Sequence, residues 1–107
     1  MDSVQIQFVM EKKFLQCIVD LSKSNKVDDA QIKIAAKVMQ AMRPWNNWSE
    51  AELKSEFFVS KFPNFGPMFD YAKSMKMEEE TTQKIELMHK HLKEDNIDAA
   101  LQIAKEN

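Results

Sequence analysis

Residues 45–71 read WNNWSEAELKSEFFVSKFPNFGPMFDY. This stretch holds eight of the ten aromatic residues of the 107-residue chain: Trp45, Trp48, Phe57, Phe58, Phe62, Phe65, Phe69 and Tyr71. It also holds the only glycine, Gly66, and two of the three prolines, Pro63 and Pro67, with Pro44 just ahead of it. Large rings supply packing volume, and proline and glycine punctuate the backbone. Their concentration here marks where helices turn and pack. Ser49 and Glu52 read as an N-cap and its capping-box partner, flanked by Trp48 and Leu53 as an apolar staple. Leu53 and Phe57 form one i, i+4 pair, and Phe58 and Phe62 form another beside it. The helix is therefore expected to pack on a wide front, until Pro63 stops it. Gly66 reads as the next cap and Pro67 as N1, where a missing N–H costs nothing. Phe65 and Tyr71 form a further staple.

The same grammar extends on the N-terminal side. Asp28 reads as an N-cap with Gln31 three residues on, and Val27 and Ile32 as its staple. Ile32, Ala35, Ala36 and Met39 share one face. Ile34, Val38, Ala41 and Met42 broaden it, so this second helix is expected to be central. Pro44 disfavours helical geometry at Arg43, which ends the helix near Met42. Upstream, Met10, Phe14, Cys17, Ile18 and Leu21 fall on one helical face. The first helix is read from Val4 to Ser22, with a strand over 4–9 as the alternative because Val4, Ile6, Phe8 and Met10 alternate with polar neighbours.

On the C-terminal side a short helix from Pro67 to Met75 turns Met68, Phe69, Ala72 and Met75 inward. Glu78, Glu79 and Glu80 suit the start of a fifth helix, running to Lys93 with Ile85, Met88 and Leu92 inward. No glycine or proline separates these two, so fusion through Lys76–Met77 is the alternative. Glu94–Asn96 is a turn, with Asp95 or Asn96 capping a last helix whose Ile97, Ala100, Leu101 and Ala104 face inward. One glycine in the chain leaves few of the positive-φ turns that hairpins demand. The fold class is all-α: a compact bundle of five to six short helices, one domain over residues 1–107.

Composition narrows function by exclusion. Net charge is −2. Residues 1–48 carry seven basic and five acidic side chains, and residues 49–107 eight and twelve. Neither part forms the basic field of a nucleic-acid binder. Cys17 is the only cysteine, so no disulfide closes within the chain, and its apolar neighbours make it a small core residue. No apolar run is long enough to span a membrane. No basic segment leads an apolar one at the start, so no signal peptide is expected. These features predict an intracellular, cytoplasmic protein.

No catalytic constellation is complete. Glu86 and His89 form one E-x-x-H, where a di-iron bundle needs two and further glutamates. His91 points about 200° away from His89 on a helix, so the two cannot share an ion from one face. A single glycine rules out a Gly-rich phosphate loop and a G-x-S-x-G elbow. The carboxylate pairs Asp28–Asp29 and Glu78–Glu80 sit at expected helix starts, where capping explains them. No enzyme, cofactor, metal or small-molecule substrate is expected; a metal-dependent activity at His89 stands last. A helix-turn-helix over the second and third helices would present Glu50 and Glu52 to phosphates.

The unusual number is eight methionines beside seven phenylalanines. Methionine repacks easily and is over-used on adaptable binding surfaces. Met39, Met42, Met68, Met75, Met77 and Met88 exceed what a small core is expected to hold. The function expected is a small non-catalytic interaction domain, an adaptor or regulator binding another protein or itself. The expected contact residues are Trp45, Trp48, Phe58, Phe62 and Met68. The alternative is a nucleic-acid-associated regulator using a lysine-rich face of residues 12–43: Lys12, Lys13, Lys23, Lys26, Lys33, Lys37 and Arg43.

Overall fold

Asp2 opens the first helix with a full capping box. Its carboxylate accepts from the Gln5 N–H at 2.9 Å, and the Gln5 side chain accepts from the Asp2 N–H at 3.0 Å. In the computed structural model, which describes residues 1–26 and 28–106, five α-helices follow in order. They are α1 (Ser3–Lys23), α2 (Asp29–Ala41), α3 (Trp48–Lys61), α4 (Gly66–Lys93) and α5 (Ile97–Lys105), with a 3-10 turn at Pro63–Phe65 before α4. No strand occurs among the described residues. The alternation over 4–9 resolves as helix because the cap fixes helical geometry from Ser3 onward.

A chain with one glycine ends its helices by another route. After α1, Asn25 takes a left-handed φ of 55°, and the Lys26 N–H reaches back to the Leu21 carbonyl at 3.0 Å. After α4, Asp95 does the same at φ 58°, and the Asn96 N–H reaches the His91 carbonyl at 2.9 Å. Both are Schellman closures, with Asn and Asp where glycine is usual. Gly66 has φ −45° and is simply helical, which corrects its reading as a special cap.

Two further expectations change, and the alternative left open at Lys76–Met77 is decided. Asn47, not Ser49, caps α3, accepting from the Glu50 N–H at 2.8 Å. Trp48 thereby becomes the first helical residue and turns inward. The front of α3 is narrow: Trp48, Ala51, Ser55 and Phe58 are buried, while Leu53 is 68% and Phe57 53% exposed. The expected fourth and fifth helices are one 28-residue helix, α4, because nothing at Lys76–Met77 interrupts hydrogen bonding. Asp28 caps α2 as expected, accepting from the Ala30 and Gln31 N–H groups. Its staple residue Val27 lies outside the described residues.

The chain divides into two compact units, Met1–Ser74 and Met75–Asn107. The first is built on α1, not α2. Ile6, Met10, Phe14 and Cys17 of α1 are buried, whereas α2 buries only Ala35 and Met39 and exposes Ile34. α2 reads as central because it is apolar most of the way round, yet α1 projects the ring that organises the core. Phe14 stacks on Phe65 at 5.1 Å between centroids and meets Phe58 edge-on at 5.9 Å. Phe58 meets Phe62 at 5.0 Å and Phe65 at 5.4 Å. Phe65 thus serves this cluster, and the Tyr71 ring meets Trp48 instead.

The α2–α3 connection is held by Lys54. Its ammonium donates to the Met42 carbonyl at 2.7 Å and to the Pro44 carbonyl, and pairs with Glu50 at 2.5 Å. The Lys54 hydrogen bond holds the Glu50 carboxyl below its ordinary pKa, and Asn46 adds to the effect.

Candidate functional site

Of the five expected contact residues, Trp45, Trp48, Phe58 and Met68 are buried in the first unit, and Phe62 is half-buried. The Trp45 ring lies 5.9 Å from the Lys54 ammonium, and its buried Nε1 has no hydrogen-bond partner in the protein. These four side chains hold the first unit together. Phe62 lines a small cavity of about 140 Å³ with Leu21, Ile32 and Phe65, below the roughly 300 Å³ at which small-molecule sites begin.

The methionines divide. Met10, Met39 and Met68 are buried, Met42, Met75 and Met88 half-buried, and Met77 is 58% exposed. Met77 lies in the second unit, which carries a larger apolar surface. On α4, Thr81, Ile85, Met88 and Leu92 follow a 4-3-4 spacing that keeps them on one face. On α5, Ile97, Ala100, Leu101 and Ala104, spaced 3-1-3, also share one face. The turn Glu94–Asn96 joins the two helices. Its Asn96 both completes the closure of α4 and caps α5, accepting from the Ala99 N–H at 3.2 Å. The turn is thus closed by one backbone and one side-chain hydrogen bond of Asn96.

What packs is little. Ala100 is the one buried residue among the described residues of the second unit. Ile85, Leu92, Ile97 and Leu101 are each more than half exposed. They line, with Met88, His89 and Ala100, an open cleft of about 340 Å³ between α4 and α5. On the other side of the hairpin the Lys84 ammonium reaches the Glu106 carbonyl, near a cleft lined by Leu87 and Ile103. The sequence marks Ile85, Met88, Leu92, Ile97, Ala100 and Leu101 as inward-facing. It does not mark that Ile85, Leu92, Ile97 and Leu101 stay exposed.

The remaining candidates are weaker. Arg43 donates to Glu11 at 2.8 Å, the Lys13 ammonium lies 4.5 Å from the Tyr71 ring, and that of Lys12 5.4 Å from Phe8. Lys12 and Lys13 project about 100° apart on α1. Three of the seven cations of the lysine-rich face are thus engaged locally. His91 Nδ1 lies 4.0 Å from the Glu94 carboxylate, at ion-pair range but beyond a hydrogen bond. Among the described residues no three His, Cys, Asp or Glu side chains stand together as a metal cluster. Burial pushes the Cys17 thiol up, and Asp20 adds to this, while the Met68 backbone and Lys13 pull it the other way. A buried thiol shifted upward is a poor nucleophile.

The outer face of α1 is a second exposed apolar stripe. At about 100° per residue, Val4, Phe8, Leu15 and Val19 fall on one side, and all four are exposed. Glu11 and Lys12 interrupt it at the middle. No helix of the described chain is long and apolar enough to cross a membrane. Comparison with protein families, with characterised proteins and with solved structures returns no match, so the functional reading rests on the geometry of the hairpin and the stripe.

Proposed function

We propose that the chain is a small non-catalytic interaction domain, an adaptor or regulator whose contact surface is the apolar face of the α4–α5 hairpin. Residues 1–74 form a folded unit of their own, whose core takes up Phe14, Trp45, Trp48, Phe58 and Phe65. The observation that carries this reading is the exposure of Ile85, Leu92, Ile97 and Leu101 on one face of the second unit, whose described residues bury a single alanine. Monomeric proteins seldom leave contiguous apolar surface open unless something docks on it. The lone, buried Cys17 suits a reducing, cytoplasmic setting.

The test uses an environment-sensitive apolar dye with the full chain. Fluorescence enhancement is expected with the wild-type protein and is expected to fall by more than half in Ile85→Glu/Leu101→Glu. Both positions are exposed, so the helical circular dichroism should be unchanged. Equal enhancement in the two proteins, or none in either, would remove the hairpin as the contact surface.

A further inference from the structure

We propose that α4 carries a conformational joint just ahead of Glu78, where the helix opens locally and reversibly into two helical segments, 66–76 and 78–93. The acids that follow the joint set its opening. The joint goes beyond the contact surface assigned to the hairpin and does not rest on it.

The first observation is a length of helix with nothing packed on it. Every residue from 77 to 83 is exposed, so no face of α4 is covered there over about two turns. Before this stretch Met68 and Ala72 are buried and Met75 is half-buried; after it Lys84 and Met88 are half-buried. Most helical stability in proteins comes from a packed face, and an unpacked helix shorter than about 12–15 residues is marginal in water. Residues 77–83 are therefore held helical by continuity with their neighbours. They include the adjacent β-branched Thr81 and Thr82, which lose side-chain freedom in a helix. The Thr81 hydroxyl donates to the Met77 carbonyl at 3.0 Å, a back-bond of the kind that loosens and bends helices.

The second observation is the placement of acid. Glu78, Glu79 and Glu80 lie three turns inside α4. The helix dipole gives a carboxylate nothing there, because its effect is confined to the end turns. When α4 opens just ahead of Glu78, the same three carboxylates stand in the first turn of segment 78–93, where acid is stabilising. The open state gains an interaction that the continuous helix lacks. That gain offsets part of the cost of the four N–H groups that a new helix start leaves without intrahelical partners. The sequence reads as a helix start at Glu78 and the structure as an unbroken helix because the chain holds both states. The continuous helix dominates, and the broken one is a minor population reached by local opening. The joint lies near the start of the unit that carries the apolar hairpin.

Amide hydrogen exchange of the full chain, read residue by residue by NMR and corrected for intrinsic rates, tests this. The Glu78, Glu79, Glu80 and Thr81 amides are expected to exchange about tenfold faster than those of residues 72–75 on one side and 84–87 on the other. Glu78→Gln/Glu79→Gln should slow exchange at residues 78–81 by about threefold or more and leave both flanks unchanged. Neither position has a lysine four residues away on either side, so the variant removes the dipole gain of the open state without breaking such an ion pair. Glu86→Gln, farther along the same helix, should leave residues 78–81 as they were. Protection at residues 78–81 equal to that of both flanks overturns the joint. Exchange as fast at residues 84–87 as at 78–81 means that the whole C-terminal part of α4 opens together, and overturns it too. Fast exchange at residues 78–81 that Glu78→Gln/Glu79→Gln does not slow overturns the acids as what sets the opening.

Discussion

The two units of this chain solve the same problem with different materials. All ten aromatic side chains lie in residues 1–74, and none lies beyond Tyr71. Each large ring buries on the order of 150–250 Å². Around Phe14, Phe58 and Phe65 that area is enough to seal Trp45, Trp48, Met10 and Met68 from solvent. The second unit has no Phe, Tyr or Trp, and its apolar side chains are aliphatic or methionine on two helical segments. Its stripes are as regular as those of the first unit, yet Ile85, Leu92, Ile97 and Leu101 stay open. The difference teaches that amphipathic pattern sets which face wants burial. Whether burial happens depends on having enough helices to enclose a volume.

Paired substitutions test that contrast. The largest effect is expected in the aromatic core. Phe58→Ala should cost about 3–5 kcal/mol by urea unfolding. At concentrations where the chain is monomeric, Leu101→Ala should stay within about 0.5 kcal/mol. Comparable losses at both sites would mean that the hairpin has a core after all. A smaller pair compares the two lysines that reach carbonyls. Lys54→Met strands the Met42 and Pro44 carbonyls and should cost about 1–3 kcal/mol, whereas Lys84→Met should fall within about 0.5 kcal/mol because its contact is exposed. The smallest pair compares caps. Asn47→Ala should lower stability by about 1 kcal/mol, with Ser49→Ala nearly neutral. Asn96→Ala should reduce helical circular dichroism while leaving the urea midpoint of the first unit where it was. A Ser49→Ala loss matching Asn47→Ala would restore the cap that the sequence suggests.

Much of the fold is legible in advance because caps and periodicity are local. Asp28 and the stop before Pro44 stand where the spacing puts them. The Ser49 reading fails because two cap-forming residues lie two positions apart, and only the burial of Trp48 decides which one reaches the free N–H groups. The wide front of α3 fails for a related reason. Leu53 and Phe57 are as apolar as Phe58, and only Phe58 has a facing ring. The candidate surface moves for the same cause. Excess aromatic volume around Trp45–Tyr71 signals packing more strongly than exposure, since rings recruit one another and exclude water.

The sequence by itself determined the all-α class and most helix boundaries, because these depend on capping groups and on the 3.6-residue period. Only the tertiary structure decided that α1 and not α2 organises the first unit, that Lys76–Met77 continues one long helix, and that the hairpin stripe is left uncovered. Those outcomes depend on which faces meet across space, and local sequence holds no record of that.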